Sequence, residues 1–165
     1  MTVVVSDTSP IRALEFLDRL EMLPVLFGRI FVPPAAADEL ARTSERFRFV
    51  DVSRYEYLQV RAPNDRTQVD HLLATLDRGE AEAIVLAREM AAEAVLIDEA
   101  DGRRVARQQY GLRVIGTLGI LLSAKQRGLV SAVRPLVDRL RADLGFFVSE
   151  SLYQELLRRA GEERR

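Results

Sequence analysis

The chain contains no cysteine, which excludes a disulfide framework, a cysteine-ligated zinc site and a thiol nucleophile. Histidine is nearly as scarce. His71 is the only one, and its place beside Leu72 and Leu73 reads as a surface or half-buried helix position. Any metal bound here must therefore be held by carboxylates. Lysine is reduced to Lys125, so 23 of the 24 basic residues are arginine. Arginine offers a planar fork of donors matched to carboxylate and phosphate, although genome base composition is the plainer source of such usage. No apolar run reaches the roughly 18 residues of a membrane span, and no charged segment precedes an apolar stretch at the N-terminus. The expected location is cytoplasmic, with no membrane partner.

What is present has an ordinary globular balance: 165 residues, 48% hydrophobic and 30% charged. One domain over residues 1–165 is expected, with a core at about 3–130 and a helical C-terminal part at 131–160. Lysine and arginine total 24 against 25 aspartate and glutamate, which removes the simplest electrostatic case for nucleic-acid binding.

The apolar runs Val3-Val4-Val5, Arg29-Ile30-Phe31-Val32, Ala94-Val95-Leu96-Ile97 and Leu112-Arg113-Val114-Ile115 predict four strands. Helical patterns alternate with them. Ser9-Pro10 suggests an N-cap followed by proline at the first helical position, and Ile11, Leu14, Leu17 and Leu20 continue one face until Pro24. Further helices are expected at 35–42, 70–76, 80–92, 102–110, 118–127, 131–142 and 149–160. Residues 43–70 are less periodic and predict a strand-like or short helical insert around Phe47–Tyr57, with a loop near Pro63-Asn64-Asp65. Strands alternating with helices argue for an α/β domain of three layers, with a parallel sheet of four or five strands flanked by helices.

In such sheets ligands bind beyond the carboxyl ends of the strands, and acids gather at that edge. Asp7 follows the first strand, Glu39 lies on the helix after the second, Asp98 follows the Ala94–Ile97 strand, and Gly79-Glu80 opens the helix before it. Two carboxylates about 4 Å apart repel by about 4 kcal/mol at an effective dielectric of about 20, so a cluster needs compensation. With cysteine absent and one histidine, Mg²⁺ or Mn²⁺ with oxygen ligands, or arginine, would supply it. Magnesium keeps several waters, one of which can attack a phosphodiester. Glu80 shares a face with Ala83, Ile84 and Ala87, whereas Glu82 faces with Val85, Leu86 and Glu89. Glu80 is the preferred third acid, with Glu82 and Asp101 in reserve. Each acid alone also reads as a cap, turn or solvated helix residue.

Arg103, Arg104 and Arg107 line the helix after Asp98, where they can meet phosphates or simply form a solvated face. Gly116-Thr117-Leu118-Gly119 resembles a phosphate-cradling turn, but ordinary strand-to-helix turn chemistry explains it as well. Leu118, Ile120, Leu121 and Leu122 exceed what one helix face needs, which is consistent with a homodimer or with a core role.

The run Val3-Val4-Val5-Ser6-Asp7-Thr8-Ser9-Pro10 is followed by Val32-Pro33 with Asp38-Glu39-Leu40, by Gly79-Glu80-Ala81-Glu82-Ala83-Ile84, and by Leu96-Ile97-Asp98-Glu99 with Gly102-Arg103-Arg104. Together these resemble the PIN-domain family, in a branch with Asp-Thr-Ser-Pro and Gly-Glu-x-x-Ala motifs. The resemblance implies a metal-dependent ribonuclease, often the toxin of a toxin–antitoxin pair, in which Asp7, Glu39, Glu80 and Asp98 bind Mg²⁺ or Mn²⁺. The spacing of 18 residues from Glu80 to Asp98 fits that layout. Two departures stand out: the third acid is Glu, and the strand before Asp98 lacks a Thr-x-Asp ending. The longer Glu side chain moves its oxygens outward, which predicts weaker metal affinity or activity.

The expected function is thus RNA hydrolysis, with Thr8, Ser9, Arg103, Arg104 and Thr117 as substrate-binding residues. RNA, an antitoxin protein and a second copy of the chain are the expected partners. A catalytically idle module of the same fold, acting through protein or nucleic-acid partners, is the alternative.

Overall fold

The computed structural model describes residues 2–163. Strand β1 (Val4–Ser6) leads into α1 (Thr8–Phe16), α2 (Met22–Phe27), β2 (Ile30–Val32) and α3 (Pro34–Leu40). A single 3-10 turn over Val52–Arg54 precedes β3 (Leu58–Val60), α4 (Arg66–Leu72), α5 (Arg78–Glu89) and β4 (Ala94–Leu96). The chain continues through α6 (Ala100–Gln108), β5 (Val114–Ile115), α7 (Thr117–Gln126), α8 (Arg134–Asp143) and α9 (Glu150–Ala160). The strands form one parallel sheet of five in the order β3-β2-β1-β4-β5.

Both faces of the sheet are covered, and the strand side chains alternate between two cores. Val4, Ile30, Val32, Ala94 and Leu96 join Ile11, Leu14, Ile120, Leu140 and Leu157 on one side. On the other, Val5, Val95, Ile97 and Val114 meet Val69, Leu72, Ile84, Leu86 and Val105. This three-layer arrangement is why the strands read as unbroken apolar runs: neither face is wet. Helices α8 and α9 contribute Val137, Leu140, Leu156 and Leu157 to the first core. No helix among the described residues is long and apolar enough to cross a membrane.

Several boundaries differ from the sequence pattern for identifiable reasons. Helix α1 starts at Thr8, directly behind Asp7, so Ser9 is not its cap and Pro10 lies inside its first turn. It ends at Phe16 although the Leu14, Leu17, Leu20 spacing continues. Asp18 takes a φ of 55°, a left-handed turn that Asp tolerates better than most residues, and Arg19 N–H reaches back to the Leu14 carbonyl at 2.8 Å. Leu17 and Leu20 stay buried because the turn lies on the same core. Pro24 sits in the first turn of α2, where a missing N–H costs little.

Residues 58–60 form the edge strand that the sequence did not separate from the insert around Phe47–Tyr57. Helix α4 begins at Arg66 because the Asp65 carboxylate accepts from Gln68 N–H at 3.0 Å. Ile120, Leu121 and Leu122 are buried within the chain, since α7 packs against α1, α2 and α9, so they do not form the surplus apolar face considered for a dimer.

Ile84 on α5 is fully buried against the sheet face that carries Val5 and Val95. Ile84→Ala is expected to lower unfolding free energy by roughly 2–5 kcal/mol, read as a shifted urea midpoint at unchanged slope.

Candidate active site at the carboxyl edge of the sheet

The chain leaves β1 toward β2 and β3 and later returns to place β4 on the other side of β1, so a crevice forms beyond the ends of β1 and β4. Asp7 is fixed at that crevice by its own backbone, whose N–H donates to the Leu96 carbonyl at 3.0 Å. Asp98 follows Ile97 just past β4, α3 brings Glu39, and the N-terminus of α5 brings Asp77 and Glu80. A cavity of about 560 Å³ is lined by Asp7, Glu39, Asp77, Asp98 and Glu99. Three of the four expected acids thus share one cavity. Glu80 is buried next to them but is not part of the lining.

The carboxylates of Asp98, Glu39, Asp77 and Glu80 are held by donors of the chain. Asp98 accepts from Thr117 N–H and Thr117 Oγ1, both at 2.7 Å, and from Ser9 Oγ at 2.9 Å. Glu39 accepts from Thr8 Oγ1 at 3.1 Å. Asp77 and Glu80 form a capping box at the start of α5: Glu80 N–H donates to Asp77 Oδ1 at 2.8 Å, and Asp77 N–H donates to Glu80 Oε2 at 3.2 Å. Asp7 occupies the N-cap position of α1, yet its side chain makes no cap bond, and its Oδ1 is buried without any hydrogen-bond partner.

An ionised carboxylate in that position is costly. Burial pushes the Asp7 carboxyl up to about 8, and the neighbouring charges of Asp77, Glu80 and Glu39 act in the same direction. Burial likewise pushes Glu80 up to about 7, with Asp77, Glu99 and Asp101 adding to it. The Arg103 guanidinium is held below its ordinary value by burial and by Arg107, against the pull of Asp98. The cluster is therefore short of positive charge, and an orphaned, buried carboxylate oxygen within an all-oxygen donor set fits a hard divalent cation. As placed, the acids line the cavity without converging: among the described residues, no three of them stand close enough together to hold an ion.

Three glycines let the elements approach. A Cβ at Gly79 would lie 2.7 Å from Asp7 Oδ1, one at Gly102 would lie 3.4 Å from Glu80 Cδ, and one at Gly116 would lie 3.1 Å from Asp98 Oδ1 and 2.5 Å from Arg103 Nη1.

The remaining expected residues fall elsewhere. Glu82 is as buried as Glu80, but it accepts from Ala35 N–H at 3.0 Å and pairs with Arg66 at 3.2 Å, tying α5 to the first turn of α3. The division of α5 into an inward and an outward face does not hold, because residues 79–87 are buried all round. Asp101 and Arg104 pair with each other at 2.8 Å on the exposed side of α6, and neither lines the cavity. The hydroxyls of Thr8, Ser9 and Thr117 face the acids, and Arg103 donates to the Ile97 carbonyl at 3.1 Å.

Sequence reasoning overlooked Arg12, Asp77, Glu99, Phe146 and Phe147. Buried Arg12 donates to the carbonyls of Glu39 and, at 3.2 Å, Arg42, and it lies under the Phe47 ring with 4.5 Å to the ring centre, so it fixes the last turn of α3. Asp77 was legible as the first member of an Asp-x-x-Glu capping box. Arg12 is four residues after Thr8 on the same helix face, a weaker signal.

A family model described as a PIN domain matches residues 3–162. No curated protein matches the chain.

Two outcomes follow for the metal-free protein. In the fold, Asp7 and Glu80 keep their protons up to about 8 and about 7, whereas the unfolded chain releases them near 3.8 and 4.5. The native state thus binds more protons over this interval, and stability falls as pH rises from about 4 through about 8. Asp7→Asn removes most of that slope and is expected to raise the melting temperature at pH 8 by on the order of 5 °C, with little change at pH 4. A melting series across that range checks it. Gly79→Ala, which in an ordinary helix interior gains roughly 0.5–1 kcal/mol, is expected to show no gain or a loss, because the new methyl displaces the Asp7 carboxylate; the denaturant midpoint reports the sign.

Proposed function

The chain belongs to the PIN-domain family, generally a family of nucleases, and from that premise we propose that it is a divalent-metal-dependent endoribonuclease acting at the Asp7 cavity. The observation that supports this most is the buried, unpartnered Asp7 Oδ1 among the carboxylates of Glu39, Asp77, Glu80 and Asp98. Asp7, Glu39, Glu80 and Asp98 are the residues that would hold Mg²⁺ or Mn²⁺. Such an ion supplies positive charge to the phosphate oxygens and makes a water nucleophilic at neutral pH.

The chain's own residues do the positioning. Ser9 and Thr117 lock the Asp98 carboxylate from two sides, and Thr8 orients Glu39 while Arg12 holds the backbone of the turn that carries it. The α5 capping box sets the rotamer of Glu80. Arg103, whose Nη1 donates to the Ile97 carbonyl beside Asp98 and which lines the neighbouring cavity, is the cation this reading assigns to a phosphodiester there. In its narrower form the proposal makes the chain the toxin of a toxin–antitoxin pair, for which the support is the family resemblance.

The spread of the carboxylates favours a second reading, a module that keeps the fold without hydrolysing RNA. Metal response separates the two. On the nuclease reading Mn²⁺ raises the melting temperature of the parent but not of Asp7→Asn or Asp98→Asn. In Mn²⁺ those two variants cleave a single-stranded RNA more slowly by a factor exceeding the roughly 10- to 100-fold expected for Ser9→Ala, which removes only an outer partner of Asp98. Cleavage by Asp7→Asn at the parental rate would overturn the mechanism, and a parent with no carboxylate-dependent Mn²⁺ shift would favour the idle module.

A further inference from the structure

The acidic cavity does not end at Asp98. A second cavity of about 590 Å³ opens on the far side of that residue, and the two share Asp98, Phe146 and Phe147. They adjoin at these residues and together make one trough, with the exposed Phe147 ring on its lip. The second half carries the opposite charge. Arg103 of α6, Arg113 just before β5 and Arg159 of α9 line it, whereas its carboxylates are the shared Asp98 and Glu155. Glu155 is already met by Arg158, whose Nε donates to it at 3.0 Å. Among the described residues neither Arg113 nor Arg159 has an ion-pair partner.

The lip is unusual in a second way. Phe147 is 88% exposed, the most exposed of the large apolar side chains described. The segment between α8 and α9 turns at Gly145, whose φ of +69° is strained for any residue with a side chain, and this corner carries Phe147 outward while Phe146 stays partly buried against the first core. An exposed ring flanked by unpaired guanidinium groups matches what single-stranded nucleic acid presents: a π-face on every base and one phosphate per nucleotide. A duplex keeps its base faces stacked away from such a ring.

We propose that the trough carries a single-stranded RNA segment adjoining the scissile phosphate, with one base stacked on Phe147 and the following backbone phosphates held by Arg113 and Arg159. The identity of the strand rests on the nuclease reading above. The assignment of Phe147, Arg113 and Arg159 rests on the shared lip, the exposure and the charge. All three side chains stand at the surface, so replacing them leaves the core intact.

The chain contains no tryptophan, so Phe147→Trp introduces a single indole at the lip. Placed in an Asp7→Asn background to suppress hydrolysis, it is titrated with an eight-nucleotide single-stranded RNA, the same strand annealed to its complement, and inorganic polyphosphate. The expected result is quenching by the single strand several-fold greater than by the duplex at equal phosphate, with none from polyphosphate. In the same Asp7→Asn background, Phe147→Ala is expected to weaken single-strand binding about tenfold with the salt slope unchanged. Arg113→Ala and Arg159→Ala are expected to flatten the dependence of log K on log salt by about 0.7 each. Equal quenching by all three ligands, or an emission change that follows protein concentration alone, overturns the proposal. So do variants that bind the strand like their parent. If those variants, made in the wild-type chain, also cleave RNA at the wild-type rate, this inference falls while the nuclease reading stands. If the strand quenches selectively yet wild-type protein does not hydrolyse RNA in Mn²⁺, the binding path stands and hydrolysis falls.

Discussion

The Asp7 carboxylate is the constraint around which the carboxyl edge of this molecule is arranged. It sits between β1 and β4, almost wholly out of water, with further acids on three sides and no donor for one of its oxygens. Evolution of a stable fold alone would replace such a group, because a neutral side chain of the same size would relieve the desolvation and the repulsion together. Its surroundings instead accommodate it. Gly79 opens α5 without a side chain where one would strike Asp7, and hydroxyls from Thr8, Ser9 and Thr117 hold Glu39 and Asp98. Strain kept at one edge and compensated by local donors is the usual signature of a site rather than of a core.

The frame tolerates this because the load-carrying packing lies elsewhere. Two apolar cores cover the two faces of the sheet, and α5 is buried along nearly its whole length between the sheet, α3, α4 and α6. That burial explains how Glu80 and Glu82, two positions apart, both lose solvent yet take different duties. Glu80 closes the capping box beside Asp7, and Glu82 completes the N-terminus of α3 with help from Arg66. Buried acids on one helix are therefore not interchangeable candidates. The partner that neutralises each one is what distinguishes a clamp from a member of the cluster.

The central strands and the acids behind them were legible in the sequence because a doubly covered parallel strand must be almost wholly uncharged, so the first acid after the apolar run marks its carboxyl end. Asp7 and Asp98 stood out for that reason. The edge strand β3 did not, since Leu58-Gln59-Val60 buries only its first residue and carries no run to detect. The end of α1 was hidden by a conformational choice at Asp18 that leaves the leucine spacing undisturbed. Face arguments for Glu80 against Glu82 presumed a helix with a wet side, which α5 lacks. Arg12 and the Phe146-Phe147 lip escaped because their significance comes from neighbours distant in sequence: the carbonyls of α3 for the first, and the junction of two cavities for the second.

The near-neutral total charge hides a local separation: one cavity is lined by Asp7, Glu39, Asp77 and Glu99, and the cavity that shares Asp98 with it is lined by Arg103, Arg113 and Arg159. On the proposed reading, a phosphate in the acidic half is repelled until a cation offsets the carboxylates, so occupancy there depends on metal and on pH. In the arginine half the proposed attraction needs no metal, because the guanidinium groups supply the positive charge themselves. If the trough carries RNA as proposed, binding along it and chemistry at its end are under separate electrostatic control, with Asp98 the charged residue common to both halves. On that proposal a strand can be held without being cut, and the step from one to the other is set by the charge state of the buried Asp7 and its neighbours, not by the affinity of the arginines.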